Sequence, residues 1–239
     1  MSGFVIDLPE SPSVAVAATQ ERFPVRRIFC VGRNYAAHAR EMGNDPDREP
    51  PFFFTKPADA VVDSGGEIPY PPLTGNLHHE IELVVAIGRG GFRIAPEAAL
   101  DHVWGYAVGI DLTRRDLQDD AKATRRPWDW SKAFDRSAPC GPLVRAQAWH
   151  EPTHGRIWLA VNGETRQDAD LKELIWPVAE IVSICSEGVE LSPGDLIFTG
   201  TPAGVGPLQV GDRVTGGIDG LGEIELSIGQ PKTGRVPGA

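Results

Sequence analysis

The chain has 239 residues and a mass of 25.8 kDa, enough for one sizeable domain whose core needs neither disulfides nor a structural metal. With 41% hydrophobic and 23% charged residues it is neither disordered nor fibrous, and a net charge of −10 excludes an electrostatic nucleic-acid binder. The strongest apolar run, Leu83-Val84-Val85-Ala86-Ile87, is far short of the ~20 residues of a membrane helix, so no membrane partner is expected. Cys30, Cys140 and Cys185 are scattered without a C-x-x-C, and the start lacks a basic-then-apolar leader. Three free thiols in a reducing cytoplasm are expected.

Heavy glycine and proline punctuation (27 and 21 residues) favours short strands and turns over long helices. Residues 1–25 read as an N-terminal arm with a strand at 13–17, and residues 26–239 as a single catalytic domain. Val25 to Val31 reads as a strand ended by Gly32. Asn34 can cap a short helix reaching Met42, with Gly43 as its stop. A polar, proline-rich loop (45–51) follows, then short strands at 52–54 and 60–62 on either side of Lys56-Pro57. A proline-rich connector leads into a buried strand at 80–87. A weak helix at 96–103, a strand at 104–111 and a polar helix at 114–124 come next. A strand at 155–161 runs into the tight turn Asn162-Gly163. Pro177 opens the clearest helix, with Val178, Ile181, Val182 and Cys185 at i, i+3, i+4, i+7 and Gly188 as its stop. Ser192-Pro193-Gly194-Asp195 is a turn, followed by strands near 196–199, 213–215 and 223–228. The mixture is a strand-dominated α+β domain without internal repeats.

Several signatures are missing. There is no G-x-S-x-G, no P-loop and no G-x-G-x-x-G, and the glycine-rich stretch 200–206 lacks the Lys-Ser/Thr of a P-loop. His78-His79-Glu80 imitates half of a zinc-deaminase motif, but Leu143 stands where its second cysteine belongs.

Glu80 and Glu82, two apart on a strand, project from one face ~6–7 Å apart. Such carboxylates repel unless solvated or bridged by a cation. Asp111, ending another apolar strand, can close a third side, giving a hard oxygen-only set suited to Mg²⁺ or Mn²⁺. Taken alone, E-x-E also fits an exposed strand face. His38 and Glu41 are i, i+3 on the short helix, where a carboxylate can orient an imidazole as a general base; a solvated surface pair has the same spacing. Arg115 and Gln118, again i, i+3, suit a carboxylate clamp and an orienting amide, or an exposed helix face. Lys132 lies among aromatics that would partly desolvate it, though an ordinary surface lysine fits as well, and Lys56, two residues after Phe54, is less decisive. Thr201 is a turn residue or a binder of substrate carboxylate. His78 and His79 read as supporting groups, and Trp104, Trp158 and Trp176 as packing.

The order of these pieces carries more than any one of them. Gly32-Arg33-Asn34-Tyr35, His38 with Glu41, Lys56-Pro57, His79-Glu80-Ile81-Glu82-Leu83, Gly109-Ile110-Asp111-Leu112-Thr113 with Arg115-Asp116 and Gln118, Lys132, and the 200–206 loop follow in series. That series resembles the fumarylacetoacetate hydrolase family over residues 26–228, in its short, single-domain acylpyruvase form. The resemblance implies a rolled, mixed β-sheet fold, a homodimer and a lid segment near residues 33–50. It implies Glu80, Glu82 and Asp111 as ligands of Mg²⁺ or Mn²⁺. The water-activating dyad is then His38 with Glu41; Lys132 and Gln118 stand at the reacting carbonyl, and Arg115, Thr201 and Lys56 at the substrate. The implied reaction is hydrolysis of the C–C bond of an acylpyruvate, a small 2,4-diketo acid, with fumarylpyruvate of gentisate catabolism as the expected substrate. Oxaloacetate decarboxylation, or isomerisation and decarboxylation of 2-hydroxyhepta-2,4-diene-1,7-dioate, is the alternative on the same scaffold. A fumaryl tail calls for a distal cation, for which Arg33, Arg114, Arg125 and Arg126 are candidates.

Overall fold

The computed structural model describes residues 3–7, 9–37, 50–150 and 152–233. His38, Glu41 and most of the expected lid lie outside them. The organising element is an eight-stranded mixed sheet. Its path runs Phe52–Lys56, Arg27–Gly32, Asp195–Phe198, Ile81–Ile87, Val103–Ile110, Ala138–Cys140 and Val61–Asp63, with Val144–Arg145 joined to the side of Val103–Ile110. Two pairings are parallel, Arg27–Gly32 with Asp195–Phe198 and Ala138–Cys140 with Val61–Asp63. Both of its faces are covered, which is why Ile81–Ile87 is apolar at nearly every position and wholly buried.

Side-chain alternation sorts that strand into two cores. Ile81, Leu83, Val85 and Ile87 enter the larger cluster, beneath the helix Val178–Gly188 and the five-stranded sheet. Val84 and Ala86 enter a smaller cluster with Ile28, Cys30, Ala107 and Phe198. The antiparallel hairpin of Ser13–Ala15 and Arg22–Pro24 closes this second core with Val14, Val16 and Phe23. All three cysteines are buried and free, as expected.

Within the described residues the sequence-based elements recur with shifted ends. The segment 96–103 is the 3-10 turn Pro96–His102, and the polar helix is Arg115–Thr124. Gly188 is the last helical residue, and Val189 takes the cap. The expected helix from Asn34 to Met42 falls largely outside the described residues, among which the Asn34 side chain bonds elsewhere. Its amide donates to the carbonyls of Trp176 (3.0 Å) and Thr199 (2.8 Å) and accepts from Trp176 N–H (2.7 Å). It is thereby a buried clamp that ties the end of the Arg27–Gly32 strand to Trp176 and to Thr199, just ahead of the 200–206 loop. The strand Glu164–Asp170 carries no apolar alternation and is invisible to hydropathy, yet it pairs along the whole of Arg156–Val161.

Candidate metal centre and substrate cavity

Glu80 and Glu82 share strand parity with Val84 and Ala86, so they continue the smaller core's face beyond its apolar end. Asp111 shares parity with Ala107 and Gly109 on the neighbouring strand, and its N–H donates to the Glu80 carbonyl (2.8 Å). Gly109 stands directly opposite Glu82. A Cβ at Gly109 would come within 2.5 Å of Val84 and 2.7 Å of Phe198, so only glycine lets the strands close here. One carboxylate oxygen from each of the three acids lies within 4.8 Å of the others, and all three side chains are buried.

Among the described residues, three cations counter this charge. Lys132, on the short helix Asp129–Lys132, is 2% exposed. Its Nζ donates to Glu80 Oε2 (2.7 Å), Asp111 Oδ2 (2.6 Å) and Thr113 Oγ1 (2.6 Å). Burial alone would lower the pKa of this ammonium, but Asp111 and Glu80 outweigh it and hold the value above the ordinary lysine range. Arg115 pairs with the other Glu80 oxygen and donates to Gln118, so the guanidinium and the amide act as one unit. His78 receives the third Arg115 contact (3.4 Å), with its own pKa pushed down to about 4 by burial and the Arg115 charge. It is a neutral prop.

Lys56 departs from its expected place. It is absent from the cavity wall and sits behind the acids, with Nζ 2.8 Å from Asp111 Oδ1 and hydrogen bonds to the carbonyls of Leu112 and Lys132. The pairing of Thr55 and Lys56 with Phe29 and Ile28 turns this side chain inward, where it holds Asp111 and the Lys132 helix in register.

Glu82 is treated differently. Its contact is a backbone one, from the Gly200 N–H (2.7 Å). Burial, then the charges of Asp111 and Glu80, push its carboxyl well above the ordinary range. Asp111 Oδ1 also lacks a well-aligned hydrogen bond, although Lys56 is close in distance. A carboxylate short of positive charge, an under-used oxygen and a donor set made of oxygen alone fit a hard divalent cation, Mg²⁺ or Mn²⁺.

A residue that sequence reasoning missed, Gln167, ties the acids to the loop that follows. Fully buried, it accepts from Ile81 N–H (3.1 Å), meets His79 Nδ1 (3.0 Å), and donates to Thr201 Oγ1 (2.8 Å) and the Pro202 carbonyl (2.9 Å). All its bonding capacity is used. Gly200 reaches this arrangement at φ +96°, packed against Asn34 and the Val31 carbonyl.

The cavity above the triad is walled by Glu80, Glu82, Asp111, Arg115, Gln118, Lys132 and Thr201. Arg33, Phe52, Phe54, Lys122 and Trp128 continue the wall outward. Buried lysines and an all-oxygen triad at the end of a rolled mixed sheet define a divalent-metal enzyme site. The chain belongs to the fumarylacetoacetate hydrolase family: the pattern described as fumarylacetoacetate (FAA) hydrolase C-terminal matches residues 27–228. A crystal structure of fumarylpyruvate hydrolase from Pseudomonas aeruginosa, in complex with Mn²⁺ and pyruvate, is 56% identical with a TM-score of 0.93, over 95% of this chain and 100% of that one. The fumarylpyruvate hydrolase of a Ralstonia species is 44% identical over 79% of this chain and 98% of its own length. A mitochondrial oxaloacetate tautomerase of Arabidopsis thaliana is 41% identical over 84% and 90%.

Proposed function

We propose that this protein is a divalent-metal-dependent hydrolase that splits fumarylpyruvate into fumarate and pyruvate. The observation carrying the reading is the buried Glu80–Glu82–Asp111 triad bridged by Lys132, in a chain 56% identical to a fumarylpyruvate hydrolase crystallised with Mn²⁺ and pyruvate. Glu80, Glu82 and Asp111 hold the ion. When bound, Mg²⁺ or Mn²⁺ supplies Lewis acidity toward the carboxylate and 2-oxo oxygen of the substrate and offsets the charge of the departing enolate.

The protein's own groups do the rest. His38, with Glu41 as its partner, takes a proton from water, and the resulting hydroxide adds to the C4 carbonyl; both residues, and most of the expected lid near 33–50, lie outside the described residues. Lys132, whose three N–H groups already serve Glu80, Asp111 and Thr113, stabilises by its charge the oxygen on which negative charge develops, and Gln118 positions that oxygen. The C3–C4 bond then breaks, its electron pair leaving with the pyruvate fragment, which is protonated at C3 to give pyruvate. Arg115 and Thr201 hold the substrate's carboxylate end, and Lys56 keeps Asp111 and Lys132 in position. A cytoplasmic homodimer serving gentisate breakdown completes the reading. The likeness to oxaloacetate tautomerases supports a second one, enolisation or decarboxylation of oxaloacetate, because the same groups stabilise an enolate and that chemistry needs no attacking water.

The test compares turnover of fumarylpyruvate, acetylpyruvate and oxaloacetate at saturating Mn²⁺ by the parent and by His38→Ala. Loss of general-base assistance lowers acylpyruvate turnover by ~10²–10⁴ while leaving Mn²⁺ affinity in place. Preferential consumption of oxaloacetate by the parent, or full acylpyruvate turnover by His38→Ala, overturns the assignment.

A further inference from the structure

Beyond the metal end, the cavity carries a second, separate set of positive groups. Along the helix Arg115–Thr124, residues Arg115, Gln118 and Lys122 follow at i, i+3, i+7 and face the same cavity. Seven residues of helical rise carry that face ~10 Å outward from the Glu80 contact of Arg115. An aromatic wall makes the same journey. The Lys132 ammonium lies 5.1 Å from the Phe54 ring centre, Phe54 is 5.7 Å from Trp128, and Lys122 Nζ is 5.5 Å from Trp128. Phe52 meets Trp128 edge-on at 5.1 Å and carries the Arg33 guanidinium 5.5 Å from its own centre. Two cations thus ride on two touching rings.

Among the described residues, neither cation is hydrogen-bonded or ion-paired to Glu80, Glu82 or Asp111. The carboxylate of Asp119, one turn away along the helix, lies 3.6 Å from Lys122 Nζ, with its side chain 60% exposed. Burial, and then the charge of Arg115, lower the pKa of Lys122, so an anion beside it would relieve a standing cost. The other cations proposed from sequence are placed elsewhere. Arg114 turns away from the cavity, stacking on Phe134 (4.3 Å) and donating to the Trp130 carbonyl (3.1 Å). Arg125 and Arg126 are exposed and absent from the wall.

We propose that Lys122, together with Arg33, forms a subsite for a second carboxylate, making the enzyme selective for acylpyruvates whose acyl tail is flat, conjugated and ends in an acid. The inference rests on the hydrolase reading above. A seven-carbon 2,4-dioxo diacid spans ~7–8 Å when extended. With its first carboxylate held by the metal end, its last falls at the Lys122–Arg33 mouth, and its planar tail lies along Phe54, Phe52 and Trp128. A neutral acetyl tail reaches neither cation.

The experiment measures kcat and KM for fumarylpyruvate and for acetylpyruvate on the Mn²⁺-saturated enzyme, in the parent and in Lys122→Met, Lys122→Arg and Arg33→Met. A charge-assisted contact is worth a factor of ~10–100. Lys122→Met therefore lowers the fumarylpyruvate-to-acetylpyruvate ratio of kcat/KM by that factor, chiefly through KM. Lys122→Arg recovers most of the ratio, and Arg33→Met shows a smaller loss of the same kind. An unchanged ratio, or equal losses on both substrates, overturns the subsite while leaving the hydrolase in place. A parent that turns over neither acylpyruvate overturns the hydrolase reading, and the subsite with it.

Discussion

The strand Ile81–Ile87 has buried carboxylates at both ends of its neighbourhood, and they are handled in opposite ways. At the Ile87 end sits Asp195, fully buried, at the start of the adjacent strand. Arg27 grips both its oxygens (3.2 and 2.8 Å), Arg26 approaches both (3.2 and 3.3 Å), and Ser192 N–H adds a fifth contact (2.9 Å). One acid has two guanidiniums, whose side chains stay 48% and 33% exposed. At the Glu80–Glu82 end, roughly 15–20 Å away along the strand, three acids crowd together. Their cations are concentrated on Glu80 and Asp111, and Glu82 is left with a backbone donor. The first arrangement is saturated, so it can only hold the chain. The second is short of charge where its oxygens converge, so it can take a cation. Buried charge by itself marks neither role; the balance of donors does.

The largest effects are expected where that balance is most altered. Asp111→Asn keeps the shape of the side chain but removes a shared oxygen charge. Turnover should fall by at least ~10³, with Mn²⁺ affinity lost in calorimetric titration. If Mn²⁺ still bound normally, the triad would be an ion-pair network like that of Asp195, and the contrast would vanish.

The next effect is one of pH. In the metal-free protein the raised pKa of Glu82 favours its protonated form. That stabilising contribution is complete below the ordinary carboxylate pKa and is lost as pH climbs through the raised folded value. Metal needs the carboxylate, so binding releases a proton and strengthens with pH. The rise in Tm caused by saturating Mn²⁺ should therefore grow as pH climbs above the ordinary carboxylate range. A pH-independent rise would sink this account of Glu82, and no such trend is expected at Asp195.

How much of this was legible follows from the same physics. Glu80, Glu82 and Asp111 stood out because charged residues interrupt otherwise apolar strands at positions of equal parity, and parity survives folding. The aromatic neighbours of Lys132 hinted at its burial, but a surface lysine fitted the sequence equally well until the fold enclosed it. Lys56 was seen but misplaced, since which side of Phe52–Lys56 faces inward is decided by pairing with Arg27–Gly32, a long-range fact. Lys122 obeys the helical period of Arg115 and Gln118, yet a lysine on a polar helix looks like any solvated one until Trp128 is brought beneath it. Gln167 left no signal. Glu164-Thr165-Arg166-Gln167-Asp168-Ala169-Asp170 has no apolar face, and a shift of register in its pairing, beside Leu159 and Ala160, helps set which residue is buried.

Gln167 gives an effect of intermediate size. Gln167→Leu is similar in bulk but removes the bonds to Ile81, Thr201 and Pro202. Residues that only orient such a site typically account for 10–100-fold, so Mn²⁺ affinity should weaken by about that factor. Gln167→Glu keeps the acceptor side while losing donation to Thr201 and Pro202. If Mn²⁺ affinity is untouched in Gln167→Leu, the 200–206 loop is held by other contacts.

The smallest functional effect is expected at Asp195, and it tests the contrast from its other side. Asp195→Asn leaves two arginines without a counter-charge, but both are exposed enough to rehydrate. The cost should fall between the ~1 kcal/mol of an exposed pair and the ~3–5 kcal/mol of a broken buried one, read as a lower urea midpoint. Sites this far apart without shared partners act nearly independently, so kcat and Mn²⁺ affinity should stay within about twofold of the parent. A tenfold loss of Mn²⁺ affinity would mean that strain at Asp195 travels down the strand Asp195–Phe198 to Thr199 and Gly200, whose N–H holds Glu82. The two ends would then be one mechanical unit, and Asp195 would belong to the metal site despite its saturation.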